Sequence, residues 1–242
     1  MQSLILAAGN TFTNGADASY PISMTEFNGK PLVQWIIEDL SMIPNNKIVI
    51  MVNQEEINRF HVDRILKFIE PSISVVGVQN EVGGAACSAL LGLQFLNHEE
   101  EILIINGNEK LTENYITLLE NIREKKAAAA IVSFDSIHPR YSYAKIDRNL
   151  HVIEVTEKEP ISRNALVGFF WFSSRVIIEE AIRKMILKDA SLNKVFYLAP
   201  AINEIILEGL NVAMIKVDNS KYHPMKTEWQ LNEYAKKVDR SK

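Results

Sequence analysis

The amino-acid sequence predicts an α/β fold, a three-layer α/β/α sandwich on a mixed, mostly parallel sheet. Two patterns predict it. Short β-branched and leucine-rich runs alternate with helical stripes through the first half of the chain, the rhythm of βαβ units. Those runs are apolar throughout rather than at every second residue, as strands covered on both faces by helices must be.

The first half supplies such runs at residues 3–7, 47–52, 74–78, 102–106 and 128–134. Between them, Leu32, Trp35, Ile36, Leu40 and Ile43 recur at helical steps after Pro31, a residue suited to a first turn because the N–H it lacks would be unpaired there. Ile57, Phe60, Ile65 and Phe68 repeat the period, as do Tyr115, Leu118, Leu119 and Ile122, and all three stripes are expected in the core. Glu120, Arg123, Glu124, Lys125 and Lys126 read as a solvated outer face. After residue 134 the pattern changes to short strands at 143–147 and 151–157, parted by Arg148-Asn149-Leu150, an antiparallel hairpin. A strand at 165–172, helices at 175–187 and 198–207, a strand at 211–217 and a helix at 227–238 complete the chain. No repeat or linker interrupts it, so one domain is expected over 1–242, with halves at about 1–134 and 135–242.

Composition excludes several classes. Against 30 Asp plus Glu the 242 residues carry 26 Lys plus Arg, a formal charge of −4 that offers no footprint for DNA or RNA. The longest apolar runs fall well short of the roughly 20 residues that a membrane-spanning helix needs. The N-terminus enters a strand pattern without a basic region and long apolar stretch, so no secretory signal is read and a cytoplasmic location is expected. A single cysteine rules out an internal disulfide, and Cys87, set among Ala85, Ala86, Ala89 and Leu90, reads as a small core hydrophobe.

In an open α/β sheet, ligands bind beyond the carboxyl ends of the strands, so the loop after the first strand is the first candidate site. It reads Ala7-Ala8-Gly9-Asn10. Small residues there let backbone approach a ligand, and consecutive N–H groups can form an anion nest; Gly9 is equally consistent with an ordinary turn.

The succession Leu4–Gly9 in numbers 4–9, Tyr20-Pro21, Asn28-Gly29-Lys30-Pro31-Leu32-Val33 and the stripe at 35–40 resembles the opening of the sugar-1-phosphate nucleotidyltransferases. The resemblance continues through Gln79 with Gly83-Gly84-Ala85-Ala86, residues 102–107, His138-Pro139-Arg140-Tyr141, Glu157-Lys158 with Ile161-Ser162, Gly168-Phe169-Phe170-Trp171-Phe172, and Met225-Lys226-Thr227. It implies the Rossmann-like, nucleotide-diphospho-sugar transferase type of fold. It also implies a reaction in which an oxygen of a sugar 1-phosphate, or of another phosphorylated small molecule, attacks the α-phosphate of a nucleoside triphosphate and displaces pyrophosphate, with Mg²⁺ as cofactor. By the same resemblance Ala7, Ala8, Gly9, Asn10, Gln79, Gly83, Gly84 and Ala85 would bind the nucleotide. Gly107, Glu157, Lys158 and Gly168 would bind the sugar phosphate. Asn108 and Lys158 would be the catalytic pair, with Asn108 at the metal position.

The chain departs from that pattern where charge matters. The family's Gly-x-Gly-Thr/Ser-Arg loop is Gly9-Asn10-Thr11-Phe12-Thr13, its Pro-Lys pair is Pro21-Ile22, and its Gly-Asp is Gly107-Asn108. Asn offers Mg²⁺ a carbonyl oxygen without the charge that holds a hard cation. Glu109 is adjacent and could compensate if the backbone turned, though neighbours in an extended segment face opposite sides. A second metal Asp has no counterpart among Tyr222-His223-Pro224, and His223 alone reads as a solvated loop residue. Three readings follow: an active nucleotidyltransferase; an impaired homologue that binds sugar phosphate or nucleotide; and, last, a glycosyltransferase, disfavoured because no Asp-x-Asp occurs. The sequence leaves room for replacement cations from elsewhere in the fold, such as Lys145, Lys221 or Lys226, and Ile22→Lys with Asn108→Asp is expected to restore triphosphate binding.

Overall fold

The computed structural model describes residues 1–9, 20–79 and 82–239. Strand β1 (Gln2–Leu6) opens the fold. A 3-10 turn at Ile22–Met24 and a small hairpin of β2 (Glu26–Phe27) and β3 (Lys30–Pro31) precede α1 (Leu32–Ser41). Then come β4 (Lys47–Asn53), α2 (Gln54–Phe60), α3 (Val62–Ile69), β5 (Ser74–Val78), α4 (Ala85–Leu93), β6 (Ile102–Asn106), β7 (Glu109–Leu111), α5 (Tyr115–Glu124) and β8 (Ala129–Asp135). The second half holds β9 (Ser142–Ile146), β10 (Val152–Glu157), β11 (Asn164–Phe172), α6 (Arg175–Leu187), α7 (Ile202–Leu207), β12 (Val212–Lys216), β13 (Tyr222–Pro224) and α8 (Glu228–Asp239).

Among the described residues the main sheet has nine strands. β5, β4, β1 and β6 run parallel in that order, and β11 lies antiparallel beside β6. β11 is long enough to serve three neighbours: its C-terminal residues pair with β6, Ala165 pairs with Tyr143 of β9, and β8 runs along its other edge. β12 then pairs parallel to β8, and the β9–β10 hairpin branches off. β7 and β13 form a separate two-stranded ribbon.

Alternation along the buried strands explains the three layers. Ile5, Ile48, Ile50 and Val52 face a core built with α1, α3 and α5, whereas Leu4, Val49 and Met51 face a second core built with α4, α6 and α7. The sheet is therefore the middle layer, as the continuous apolar runs require. The expected stripe through Phe68 needs correction, because Phe68 is 89% exposed. His61 adopts a left-handed conformation (φ 52°, ψ 40°) that ends α2 and starts α3. That break resets the helical phase, so Val62 and Leu66 take the buried positions. The helix expected over 198–207 is also divided, into a 3-10 turn at Ala199–Ala201 containing Pro200 and then α7.

Candidate active site

The carboxyl ends of β1, β5 and β6 and the N-terminal part of β11 meet at a cleft of about 610 Å³. At its floor the Gly107 N–H donates to the Leu6 carbonyl at 2.8 Å, and the Ala7 N–H to that of Met51 at 2.9 Å. A Cβ built on Gly107 would stand 2.8 Å from Ala7 Cβ, so the two strand ends approach this closely only because residue 107 is glycine. Ala7 and Gly107 are thus packed against each other behind the cleft and do not line it; Ala8 and Gly9 do. Asn10 lies outside the described residues.

Gln79, Gly83, Gly84 and Ala85 line one wall. Gly84 has φ 121° and ψ −180°, a conformation closed to L side chains, and a Cβ there would meet the Phe196 carbonyl oxygen at 2.5 Å. Phe196 is the reason: its N–H donates to the Gly83 carbonyl (2.8 Å) and its carbonyl accepts from the Ala86 N–H (3.0 Å), strapping the entry to α4. Cys87, half-buried behind this entry with its thiol pushed up by burial, fits the inert reading.

Asn108 and Glu109 both line the cleft, the arrangement that a turned backbone allows and an extended one does not. The chain turns at 107–108 instead of running extended, and Glu109 swings inward to become buried. Its Oε1 accepts from Asn106 Nδ2 at 2.7 Å and its Oε2 from the Tyr222 hydroxyl at 2.5 Å. Burial, with the Glu109 carboxylate beside it, holds the Tyr222 phenol well above its ordinary value, so it stays a donor. Gly168 lies against this carboxylate: a Cβ there would fall 1.8 Å from Glu109 Oε1. Asn108 Oδ1 is buried with no hydrogen-bond partner.

The opposite wall carries Glu157 and Lys158. Burial raises the Glu157 carboxyl above its usual range, opposed by a hydrogen bond from Ser142 (2.5 Å) and by the charges of Lys158 and Lys226. Lys158 takes a positive φ of 59°, its N–H donates to the Tyr141 carbonyl (3.0 Å), and its ammonium donates to the Tyr197 hydroxyl at 2.6 Å. Arg140 and Lys226 reach the same wall, their cationic groups 6.0 and 5.9 Å from the Tyr141 ring centre.

The structure thus brings Ala8, Gly9, Gln79, Gly83, Gly84, Ala85, Asn108, Glu157, Lys158 and Gly168 to one cleft. Of the replacement lysines only Lys226 arrives; Lys145 sits on the exposed hairpin beside Glu154 (3.8 Å), and Lys221 lies outside the lining. Ile22 needs correction as a cleft position, because its side chain is buried in the core with Met24. His223 is stacked on Tyr234 (4.4 Å between ring centres) rather than merely solvated. Sequence reasoning left Phe196, Tyr197 and Tyr222 unassigned and made Glu109 conditional on a backbone turn; the aromatic pair at 196–197 in a loop was the one available signal.

Magnesium at a phosphate site is usually held by one or two carboxylates together with substrate phosphates and water. Here Asn108 is neutral, both Glu109 oxygens already accept hydrogen bonds, and the residue opposite Glu109 in the β7–β13 ribbon is Pro224, whose side chain has no oxygen. Among the described residues no group of three or more His, Cys, Asp or Glu could hold a metal. The described residues thus fit a divalent ion poorly at this position: Asn108 brings no charge, and the adjacent carboxylate is engaged by Asn106 and Tyr222.

An open α/β sheet with a small-ligand cleft at the carboxyl ends of its strands, glycine-lined on one wall and cationic on the other, defines the class. The chain belongs to the nucleotidyl transferase family, whose family model matches residues 18–204. It is 26% identical over 227 residues to the UTP–glucose-1-phosphate uridylyltransferase AglF of Haloferax volcanii, covering 90% of this chain and 88% of that protein. It is 22% identical over 226 residues to the bifunctional protein GlmU of Thermosipho africanus, of which it spans 46%. Its fold matches the crystal structure of a nucleoside-diphosphate-sugar pyrophosphorylase from Vibrio cholerae with a TM-score of 0.81 at 18% identity, covering 96% of this chain and 99% of that one. A UDP-glucose pyrophosphorylase complexed with UDP-glucose matches with a TM-score of 0.75 at 13% identity, covering 100% and 99%.

Proposed function

We propose that this protein, acting as one domain over 1–242, transfers a nucleotidyl group from a nucleoside triphosphate to a sugar 1-phosphate or a similar phosphorylated small molecule. A phosphate oxygen of the acceptor attacks the α-phosphorus, a new P–O bond forms, the bond between the α-phosphorus and its bridging oxygen breaks, and pyrophosphate leaves with that oxygen. One observation carries the reading: residues expected to bind the nucleotide and residues expected to bind the acceptor, far apart in sequence, line one cleft together with Asn108. Its volume, about 610 Å³, lies in the range of small-molecule sites.

In this reading Ala8 and Gly9, with Ala7 and Gly107 packed behind them, admit the phosphates. Gln79, Gly83, Gly84 and Ala85 hold the nucleoside. Lys158 binds the acceptor phosphate as a point charge, positioned by Tyr197, and Glu157 accepts from a sugar hydroxyl. Such transfer depends on positioning and on neutralising charge on phosphate oxygens, which falls here to Lys158, Arg140 and Lys226. The centre is divergent, since the magnesium implied by the family resemblance has no charged ligand at Asn108. A cytoplasmic location accompanies the reading, because nucleoside triphosphates are made there; among the described residues no helix is long and apolar enough to cross a membrane.

The test is incubation with each common nucleoside triphosphate and a panel of sugar 1-phosphates, following pyrophosphate release and thermal shift. Pyrophosphate release that requires both substrates is the expected result. A melting point and a pyrophosphate signal unmoved by every pair would overturn the reading.

A further inference from the structure

Lys226 reaches the cleft by construction rather than by chance of a long side chain. The β7–β13 ribbon sets Pro224 opposite Glu109, and the next N–H, that of Met225, donates to the Asn108 carbonyl at 2.9 Å. Lys226 therefore starts one residue beyond a direct tie to Asn108. Its own N–H donates to Gln230 Oε1 (3.0 Å), while the Gln230 N–H donates to Thr227 Oγ1 (3.3 Å), a reciprocal pair of the Thr-x-x-Gln kind that fixes the start of α8. The backbone at 226 is thus held at both ends.

The ammonium on that backbone lines the cleft, and among the described residues no carboxylate forms an ion pair with it. In the same lining, Asn108 Oδ1 is a buried acceptor with no donor. The same wall carries Arg140 and Lys158, while the described residues of the glycine wall bring no cation to the cleft. Of these cations, the Lys158 ammonium is engaged by Tyr197, whereas Lys226 starts beside Asn108 and its charge also reaches the Glu157 carboxyl.

We propose that the Lys226 ammonium supplies the fixed positive charge at the Asn108 end of the cleft, so that the protein binds the phosphates of its nucleotide or pyrophosphate without a divalent cation. An ammonium cannot bridge several oxygens at short range as Mg²⁺ does, but it is covalently placed and needs no carboxylate ligands. Asn108 suits this arrangement, since a neutral amide neither neutralises the lysine nor repels the phosphates. The proposal rests on the phosphate-binding reading above and concerns how that binding is achieved.

The test is isothermal titration of inorganic pyrophosphate and of each ribonucleoside triphosphate into the full-length protein, in excess EDTA and in excess MgCl₂. Wild type, Lys226→Met, Lys226→Arg and, as a control outside the cleft, Lys145→Met are compared. Wild type is expected to bind in EDTA within about threefold of its affinity in Mg²⁺, Lys226→Met to lose about tenfold or more in EDTA, and Lys226→Arg to keep most of the binding. Lys145→Met should match wild type. Binding that appears only with Mg²⁺ and is unmoved by Lys226→Met would overturn the ammonium's role and leave the phosphate reading standing. No binding under either condition would overturn both. Should Lys226→Met fail to fold, the wild-type comparison in EDTA and Mg²⁺ decides alone.

Discussion

The Glu109 carboxylate fills the space that a side chain on Gly168 would need, its Oε1 lying 1.8 Å from where that Cβ would stand. Asn106 Nδ2 would be 2.0 Å from the same point, so the glycine keeps open a niche occupied by both partners of one hydrogen bond. Gly168→Ala is expected to push Glu109 out of this niche into the cleft. Overpacking of this kind costs about 1–3 kcal/mol, read by urea unfolding, and the displaced carboxylate should weaken phosphate binding measured by titration. Wild-type stability in the alanine variant would show that Glu109 has another resting place.

Tyr222→Phe removes the donor to Glu109 Oε2 without changing shape. The buried carboxylate then keeps only Asn106, and the loss should be roughly 1–3 kcal/mol in chemical denaturation. Because burial and Glu109 hold the phenol above its ordinary value, the difference between wild type and variant should not vary between pH 6 and about 9. A difference that collapses within that window would mean the phenol ionises there.

Gly84→Ala acts on the other wall. The new Cβ would collide with the Phe196 backbone and demand a φ that L residues avoid, so the strap from Phe196 to Gly83 and Ala86 must open. Strain in such a region costs about 1–3 kcal/mol. The expected result is a lowered melting point together with weakened nucleotide binding, and a variant that keeps both would show that the strap is not what shapes this wall.

The strands were readable from sequence because burial on both faces demands continuous apolar runs, and residues 74–78 and 102–106 coincide with β5 and β6. Phe68 was misread because a left-handed His61 interrupts a stripe that looks unbroken in one dimension. For Glu109 the sequence named the condition, a turned backbone, but not whether it is met; the turn at 107–108 meets it and brings Glu109 and Asn108 to one cleft. The partnership of Tyr222 with Glu109 spans 113 positions, and that of Tyr197 with Lys158 spans 39, separations that no local pattern encodes. The family resemblance pointed to the residues that line the cleft but not to the hydrogen bonds that hold them.

Ile22 illustrates the cost of placing a side chain by pattern position alone. Buried beside Met24, it cannot turn a lysine into the cleft without leaving the core. Ile22→Lys combined with Asn108→Asp is now expected to lower stability by at least about 2 kcal/mol, read as a lower urea midpoint, rather than to restore triphosphate binding. A stable double variant with tighter triphosphate binding would return Ile22 to the cleft.

A pH effect is expected far from the cleft, at Glu56 in the first turn of α2. This carboxyl is 4% exposed, its Oε2 has no hydrogen-bond partner, and burial pushes its pKa up to about 7 from an ordinary 4.5, with the neighbouring Glu55 charge adding to the rise. A carboxyl raised in the folded state gives up its proton first in the unfolded chain. Between pH 4.5 and 7 the folded state therefore binds more protons, and stability falls as pH rises through that window, levelling off above it. Glu56→Gln removes this term while keeping an oxygen to accept from the Asn53 backbone N–H. Unfolding curves should coincide near pH 4.5 and separate in favour of the glutamine variant by roughly 2–3 kcal/mol above pH 7. A separation that stays constant from pH 4.5 to 8 would show that Glu56 titrates alike in the folded and unfolded chains.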